Sequence, residues 1–169
     1  NILGVADPSI WDSSRGDAII EAADRNFVHF YPGDNKRLPG WMQCHYRLAF
    51  DKENSWSIKY NLVWDKLLDI NIFDDSVFKK EVCLYQKKMN RYGAPLDSRA
   101  DYTKMDWLVW TTVMTDDKEY RQKVMETIYN FVCDTPDRTP MPDWYYTSTP
   151  RREFFQNRTV LGGIYINLL

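Results

Sequence analysis

The stretch Tyr92-Gly-Ala-Pro-Leu-Asp-Ser-Arg-Ala-Asp-Tyr-Thr-Lys-Met-Asp-Trp107 decides how this chain is read. Gly93 and Pro95 end one helix, and Asp101 or Thr103 can cap the next. The connection carries Asp97, Arg99, Asp101, Lys104 and Asp106 and ends in Trp107. Two helices can be joined by a few turn residues, so this link is longer than the join requires. Loops on rigid scaffolds are where binding and catalytic groups gather. A solvated linker with a good cap accounts for the same charges.

The hydrophobic pattern changes character on either side of this link. Upstream, Ser76–Arg91 carries one stripe (Phe78, Val82, Tyr85 and Met89) with lysines opposite, the pattern of a half-exposed outer helix. Downstream, Tyr102–Thr115 is apolar on more than one side, through Met105, Trp107, Leu108, Val109, Trp110, Val113 and Met114. Trp56–Ile70 is similar, and a helix apolar nearly all round is a buried one. Asp116 with Glu119 reads as a capping box opening a helix to about Cys133, striped by Tyr120, Val124, Ile128 and Phe131. The order buried, exposed, buried, exposed predicts an all-α chain whose hairpins form part of an α/α toroid. A plain helical bundle would show single stripes throughout. No segment alternates with a period of two, so little or no sheet is expected.

Further out, a helix is expected over Asp12–Phe30, a turn at Pro32-Gly33-Asp34-Asn35, and a helix opened by Pro39 through Trp41 to Phe50. Pro136, Pro140, Pro142 and Pro150 forbid regular helix over their span. Arg152–Leu169 reads as a last helix, interrupted or opened by Gly162-Gly163.

The chain has 169 residues, one domain by length, with 44% hydrophobic and 27% charged residues. Aromatic content is 15%, including seven Trp and eleven Tyr, residues that line carbohydrate and amino-acid clefts as well as cores. A net charge of −2 offers no basic footprint for nucleic acid. No apolar run is long enough for a membrane helix. The chain starts at Asn1 without a leader, so a processed, truncated or excised piece is expected. Cys44, Cys83 and Cys133 lack paired spacing and read as buried free thiols, and His29 and His45 are too few for a histidine metal site or a Ser-His-Asp triad. No metal or cofactor is expected.

Ser76-Val-Phe-Lys79 fits the S-x-x-K pattern but lacks its S-D-N and K-T-G partners, and Ser76 stands where a helix cap is wanted. Four polar-aromatic clusters remain: Ser55–Lys66, the link from Asp97 to Trp107, the proline-stiffened Thr135–Tyr146, and Phe155–Gly163. Carboxylates beside Arg, Lys and aromatic rings can exchange protons or clamp a zwitterion. They can equally be a structural salt-bridge network.

These clusters resemble the C-terminal region of the glutaminase A-like proteins, large secreted or surface-associated proteins of fungi and gut Bacteroides-type bacteria. The resemblance is carried by W-S-I-K-Y-N-L-V-W-D-K-L-L (Trp56–Leu68), Y-G-A-P-L-D-S-R-A-D-Y-T-K-M-D-W (Tyr92–Trp107), T-P-D-R-T-P-M-P-D-W-Y (Thr135–Tyr145) and R-T-V-L-G-G (Arg158–Gly163), with Y-R-L-A-F-D (Tyr46–Asp51) as lead-in. It covers residues 46–169 and leaves 1–45 as an unplaced N-terminal helical segment. It implies a six-hairpin α/α toroid like that of several glycoside hydrolases, and hydrolysis of the side-chain amide of L-glutamine to glutamate and ammonia. By motif position it implies Asp97, Asp106 and Asp143 as catalytic residues. Arg99, Lys104, Arg158, Tyr60, Asp65 and Trp144 would bind substrate. It implies a fragment whose remaining parent chain is a partner, an extracellular, periplasmic or cell-surface location, and possible homo-oligomers through the open ring face. A carbohydrate-active toroid hydrolase taking a glycan, or a non-catalytic scaffold domain, are the alternatives.

Overall fold

The computed structural model describes residues 45–49, 52 and 54–169, all within one unit, Gly40–Leu169. The expected helix over Asp12–Phe30, the turn at Pro32–Asn35 and the segment 1–44 lie outside the described residues. Residues 45–49, at the end of the helix expected through Phe50, are bends and irregular chain. Their amides bond sideways instead: Tyr46 N–H donates to Glu81 Oε1 at 2.7 Å, and Leu48 and Ala49 N–H approach Ser55 Oγ at 3.2 and 3.3 Å.

The first helical segment is shorter than Trp56–Ile70. Ser57 bridges Asp97, and Ile58 N–H donates to Leu96 O at 2.6 Å, so these amides are bonded to the distant link. A 3-10 turn follows at Tyr60–Leu62, then α1 at Val63–Leu67. α2, Asp75–Lys87, is capped by Asp74, whose carboxylate accepts from Ser76 N–H at 2.8 Å, so Ser76 is inside the helix rather than its cap. α2 buries Val77, Phe78, Val82, Leu84 and Tyr85. Burying such side chains contributes about 1.5–3 kcal/mol each before the entropy of ordering is set against it.

The Tyr92–Trp107 link has the structure its residues demand at one point above all. Gly93 has φ +130°, and a Cβ there would meet Leu108 Cδ2 at 2.6 Å. Neither Asp101 nor Thr103 caps the following helix. A strand intervenes, β1 (Tyr102–Lys104), paired antiparallel with β2 (Trp144–Tyr146) in the register Tyr102↔Tyr146, Thr103↔Tyr145 and Lys104↔Trp144. Asp101 instead receives the hydroxyls of Thr147 and Ser148 and the Asn90 amide. α3 (Met105–Trp110) continues as a 3-10 turn at Thr111–Met114. No residue from 102 to 115 is exposed, as expected of a helix apolar on several sides.

α4 runs Lys118–Asp134, and its cap is Asp117, one residue beyond the expected Asp116; Asp117 accepts from Glu119 and Tyr120 N–H. It buries the stripe Tyr120, Val124, Thr127, Ile128 and Phe131, and ten of its seventeen residues are exposed. The inner–outer contrast is therefore sharp between α3 and α4. It is weak between α1 and α2, because Trp64, Leu68 and Ile70 stand exposed. The closing segment is a 3-10 helix, Thr159–Leu168, rather than a helix from Arg152. It lies on α3, where Trp110 Nε1–H donates to Gly163 O at 3.0 Å. The described chain is thus of the all-α class expected, with one two-stranded sheet.

Candidate functional site

Lys104 ends β1 and precedes the first residue of α3; Asp106 lies in that helix's first turn. Asp143 directly precedes β2, and its carbonyl accepts from Met105 N–H at 2.8 Å. Arg158 directly precedes the 3-10 helix. The ribbon and the α3–3-10 contact thereby bring together four charged residues from three separate motifs.

Asp143 is fully buried. Arg158 clamps it with both Nε, at 3.0 Å, and Nη2. Lys104 Nζ donates to it from 3.4 Å. Burial works to raise the Asp143 carboxyl, but the Arg158 hydrogen bonds and the Lys104 charge outweigh it and hold it below the usual carboxylate range. Lys104 is pulled below the ordinary lysine value by burial, against the Asp143 charge. Its ammonium sits 4.4 Å from the Trp144 ring centroid, 5.1 Å from Phe155 and 5.8 Å from Trp107. The Arg158 guanidinium lies 4.3 Å from the Phe155 ring centroid. Cations over such faces are held by the ring quadrupole.

Asp106 differs from Asp143. It is 2% exposed, and its Oδ1 has no hydrogen-bond partner among the described residues. Burial raises its carboxyl, the nearby Asp143 charge adds to that, and the backbone N–H groups of Trp107 and Asp106 and the Lys104 charge oppose it. Trp144 Nε1 is a second buried polar atom at this site without a partner among the described residues. Buried polar groups are usually bonded, and Thr103 Oγ1 and the Tyr145 hydroxyl on the same ribbon also have no partner among the described residues. Two carboxyls set apart in this way, one held ionised and one held toward its neutral form, are the arrangement that acid–base chemistry uses.

The other expected site residues lie differently. Tyr60 stacks on Trp107 with centroids 3.9 Å apart and planes 9° apart, so it lines the Trp107 side of the group. Asp97 accepts from Arg99 through backbone N–H, Nε and Nη2 at 2.8, 2.9 and 2.7 Å. Among the described residues this closed pair has no hydrogen bond to Lys104, Asp106 or Asp143, and Arg99 faces an open groove of about 740 Å³ with Lys52 and Ser98. Asp65 is buried and accepts from Ile72 and Phe73 N–H at 2.8 and 3.3 Å, which closes the α1–α2 connection. Phe155 and Gly163, absent from the expected set, belong to the site. Phe155 stood in a quoted cluster, but nothing in its sequence position shows that it reaches Lys104. Among the described residues, no group of three or more His, Cys, Asp or Glu is placed to hold a metal ion. No helix among them is long and apolar enough to cross a membrane.

The family described as the glutaminase A six helical-hairpin domain matches residues 33–168. Glutaminase A of Aspergillus oryzae is 29% identical over a 128-residue alignment covering 74% of this chain and 18% of that protein. A probable glutaminase of Arthroderma benhamiae is 27% identical over a 150-residue alignment covering 70% of this chain and 17% of that protein. The chain therefore spans under a fifth of the length of these curated relatives. No solved structure matches.

Proposed function

The chain belongs to the glutaminase A six helical-hairpin family, and from that premise we propose that it supplies acid–base groups to an amidohydrolase acting on the side-chain amide of L-glutamine. The observation that carries this reading is the buried Asp106 Oδ1 without a hydrogen-bond partner among the described residues, within electrostatic reach of the Lys104 ammonium. Ionised, Asp106 takes a proton from water as that water attacks the amide carbon. The carbonyl oxygen becomes an oxyanion, and Lys104 is the donor for it: its ammonium has N–H groups to spare beyond the long 3.4 Å bond to Asp143, whereas Arg99 is held by shorter bonds to Asp97 and Arg158 by shorter bonds to Asp143. Protonated Asp106 then hands its proton to the departing nitrogen, the C–N bond breaks, and glutamate and ammonia leave. A carboxyl raised by burial binds a proton more readily than a solvated aspartate, which suits the second step, and it acts in the first step in its ionised form.

Asp143 and Arg158 have a supporting part in this scheme. Their pair fixes the start of β2 against the 3-10 helix, and the Asp143 charge favours the Lys104 ammonium. Trp144, Trp107, Phe155 and Tyr60 exclude water from it. The same resemblance supports a location outside the cytosol, tested by finding the parent protein in the secreted or surface fraction.

The experiment is ammonia release from glutamine by the full-length protein, run beside release of reducing sugar from glycans. Ammonia release that disappears in Asp106→Asn supports the amidohydrolase. Sugar release without ammonia supports the carbohydrate-active alternative, and inertness in both supports a scaffold.

A further inference from the structure

The motif Arg158-Thr-Val-Leu-Gly-Gly163 contains two adjacent glycines with different surroundings. A Cβ on Gly162 would meet nothing within 4 Å. A Cβ on Gly163 would meet Trp110 Nε1 at 2.8 Å and Asp106 Cβ at 3.0 Å. Gly163 is not in the left-handed region, so its side chain is missing for want of room rather than for backbone freedom. Its carbonyl accepts the Trp110 indole N–H at 3.0 Å. The 3-10 helix thus lies on α3 at the root of the Asp106 side chain, closing that flank against water.

We propose that Gly163 is a positioning residue for Asp106, and that Gly162 has no such role. The inference rests on the reading of Asp106 as the proton-transfer group. The Gly163–Trp110 contact fixes how closely the 3-10 helix approaches α3, and that approach sets the position and dehydration of Asp106. The charged groups around Asp106 are Lys104 from β1, Asp143 at the start of β2 and Arg158 at the start of the 3-10 helix. Arg158 is carried on the same segment as Gly163, so lifting that segment changes both the solvent and the charges that Asp106 meets.

The test uses the full-length protein with Gly163→Ala, Gly162→Ala, Asp106→Asn and the Gly163→Ala/Asp106→Asn pair. In Gly163→Ala, kcat for glutamine should fall by on the order of 10–10²-fold, the scale of a small misplacement of a reacting group. The acid limb of its pH profile should move toward the ordinary aspartate range. Gly162→Ala should match wild type in both. Added to Asp106→Asn, Gly163→Ala should cost little more, because residues that act as a unit are not additive. Wild-type kcat and acid limb in Gly163→Ala, an equal loss in Gly162→Ala, or full additivity would each overturn the proposal. Should Gly163→Ala not fold, Trp110→Phe removes the bond to the Gly163 carbonyl and keeps a ring; an unmoved acid limb there overturns it equally. Should the wild-type protein release no ammonia, the function reading fails and melting decides the positioning. The Tm gap between wild type and Asp106→Asn that opens as pH rises should then shrink in the Gly163→Ala background, and an unchanged gap overturns the proposal.

Discussion

Lys104 and Trp144 face each other across the two-stranded ribbon, and the Lys104 ammonium lies 4.4 Å from the Trp144 ring centroid. One registered pair therefore brings a basic group from the middle of the chain against an aromatic wall forty residues later. The strands are three residues each, yet they set the site, because Lys104 is also the residue from which α3 starts.

The first prediction follows from Lys104 being the available cation. Lys104→Met keeps the aliphatic stem between the rings and removes the charge. In the full-length protein it should lower kcat for glutamine about 10²–10³-fold, the usual loss on removing one oxyanion donor. Asp143 keeps its Arg158 clamp, so thermal unfolding should move little. Near-normal turnover in a folded Lys104→Met protein would assign the lysine to structure.

Arg158 and Asp143 should behave as a pair in stability. Breaking a buried ion pair by removing one partner typically costs about 3–5 kcal/mol, because the other charge is left uncompensated. The Arg158 side chain is 34% exposed, so Arg158→Ala lets water reach Asp143 and should cost less than that, but it leaves the carboxylate with only the 3.4 Å Lys104 side-chain contact and should still be destabilising in chemical denaturation. Adding Asp143→Asn should recover part of that loss. A double variant that is worse by the sum of both singles would show that the two residues do not act together.

The pH dependence has opposite signs for the two carboxyls. The folded protein holds the Asp106 proton more tightly than the unfolded chain does. Stability from this group is therefore fully present below the ordinary carboxylate range and is lost as pH rises through its folded value. Asp143 is held low, so its contribution is present above the ordinary range and is lost as pH falls through its folded value. Calorimetry should find Asp106→Asn gaining Tm relative to wild type as pH rises from acid toward neutral. The acid limb of wild-type kcat/KM should lie above the ordinary aspartate range, since the base must be ionised. A Tm gap that stays constant over that range would show that Asp106 is not held toward its neutral form.

The fold class was legible because amphipathic stripes repeat locally. Tyr120, Val124, Ile128 and Phe131 sit four, four and three residues apart, and one face of α4 buries all of them. Caps were legible only to within a residue or so, since Asp116 and Asp117 offer the same side chain. The strands were not legible. Three residues are too few for a period of two to show, and Thr103 pairs with Tyr145 only because the chain returns from far away. The site was partly legible: Lys104, Asp106, Asp143 and Arg158 come from motifs that stood out, while Asp65 and the Asp97–Arg99 pair stood out equally. What separates them is whether backbone N–H groups or a neighbouring Arg already fill the carboxylate, which no spacing in the sequence reveals.

Trp64, Leu68, Ile70 and Ile72 are exposed along the first helix and the turn after it. Contiguous apolar surface beyond a few hundred square ångströms is uncommon on monomers. Produced by itself, this chain should bind an apolar dye or self-associate in analytical ultracentrifugation. Leu68→Lys with Ile72→Lys should reduce that binding without lowering Tm. A monodisperse monomer with no dye binding would show that these side chains are only scattered surface residues.

Asp97 supplies the sharpest contrast with Asp106. Both are nearly buried, both come from the same link, and both were expected to be catalytic. Asp97 accepts three bonds from Arg99, and these outweigh the effect of burial and hold its carboxyl below the usual range. A carboxylate so satisfied is a weak base, and its first effect is to hold the turn that places Ser57 and Ile58 against the link. Asp97→Asn should therefore keep turnover within a few-fold of wild type. Because it weakens charge-assisted bonds of a partly exposed pair, it should cost about 1–2 kcal/mol of stability. Asp106→Asn should do the reverse, leaving stability intact or improved while turnover falls about 10²–10⁴-fold, the usual loss of a general base. Equal loss of turnover in both folded variants would place Asp97 in the chemistry after all and move the site toward the Arg99 groove.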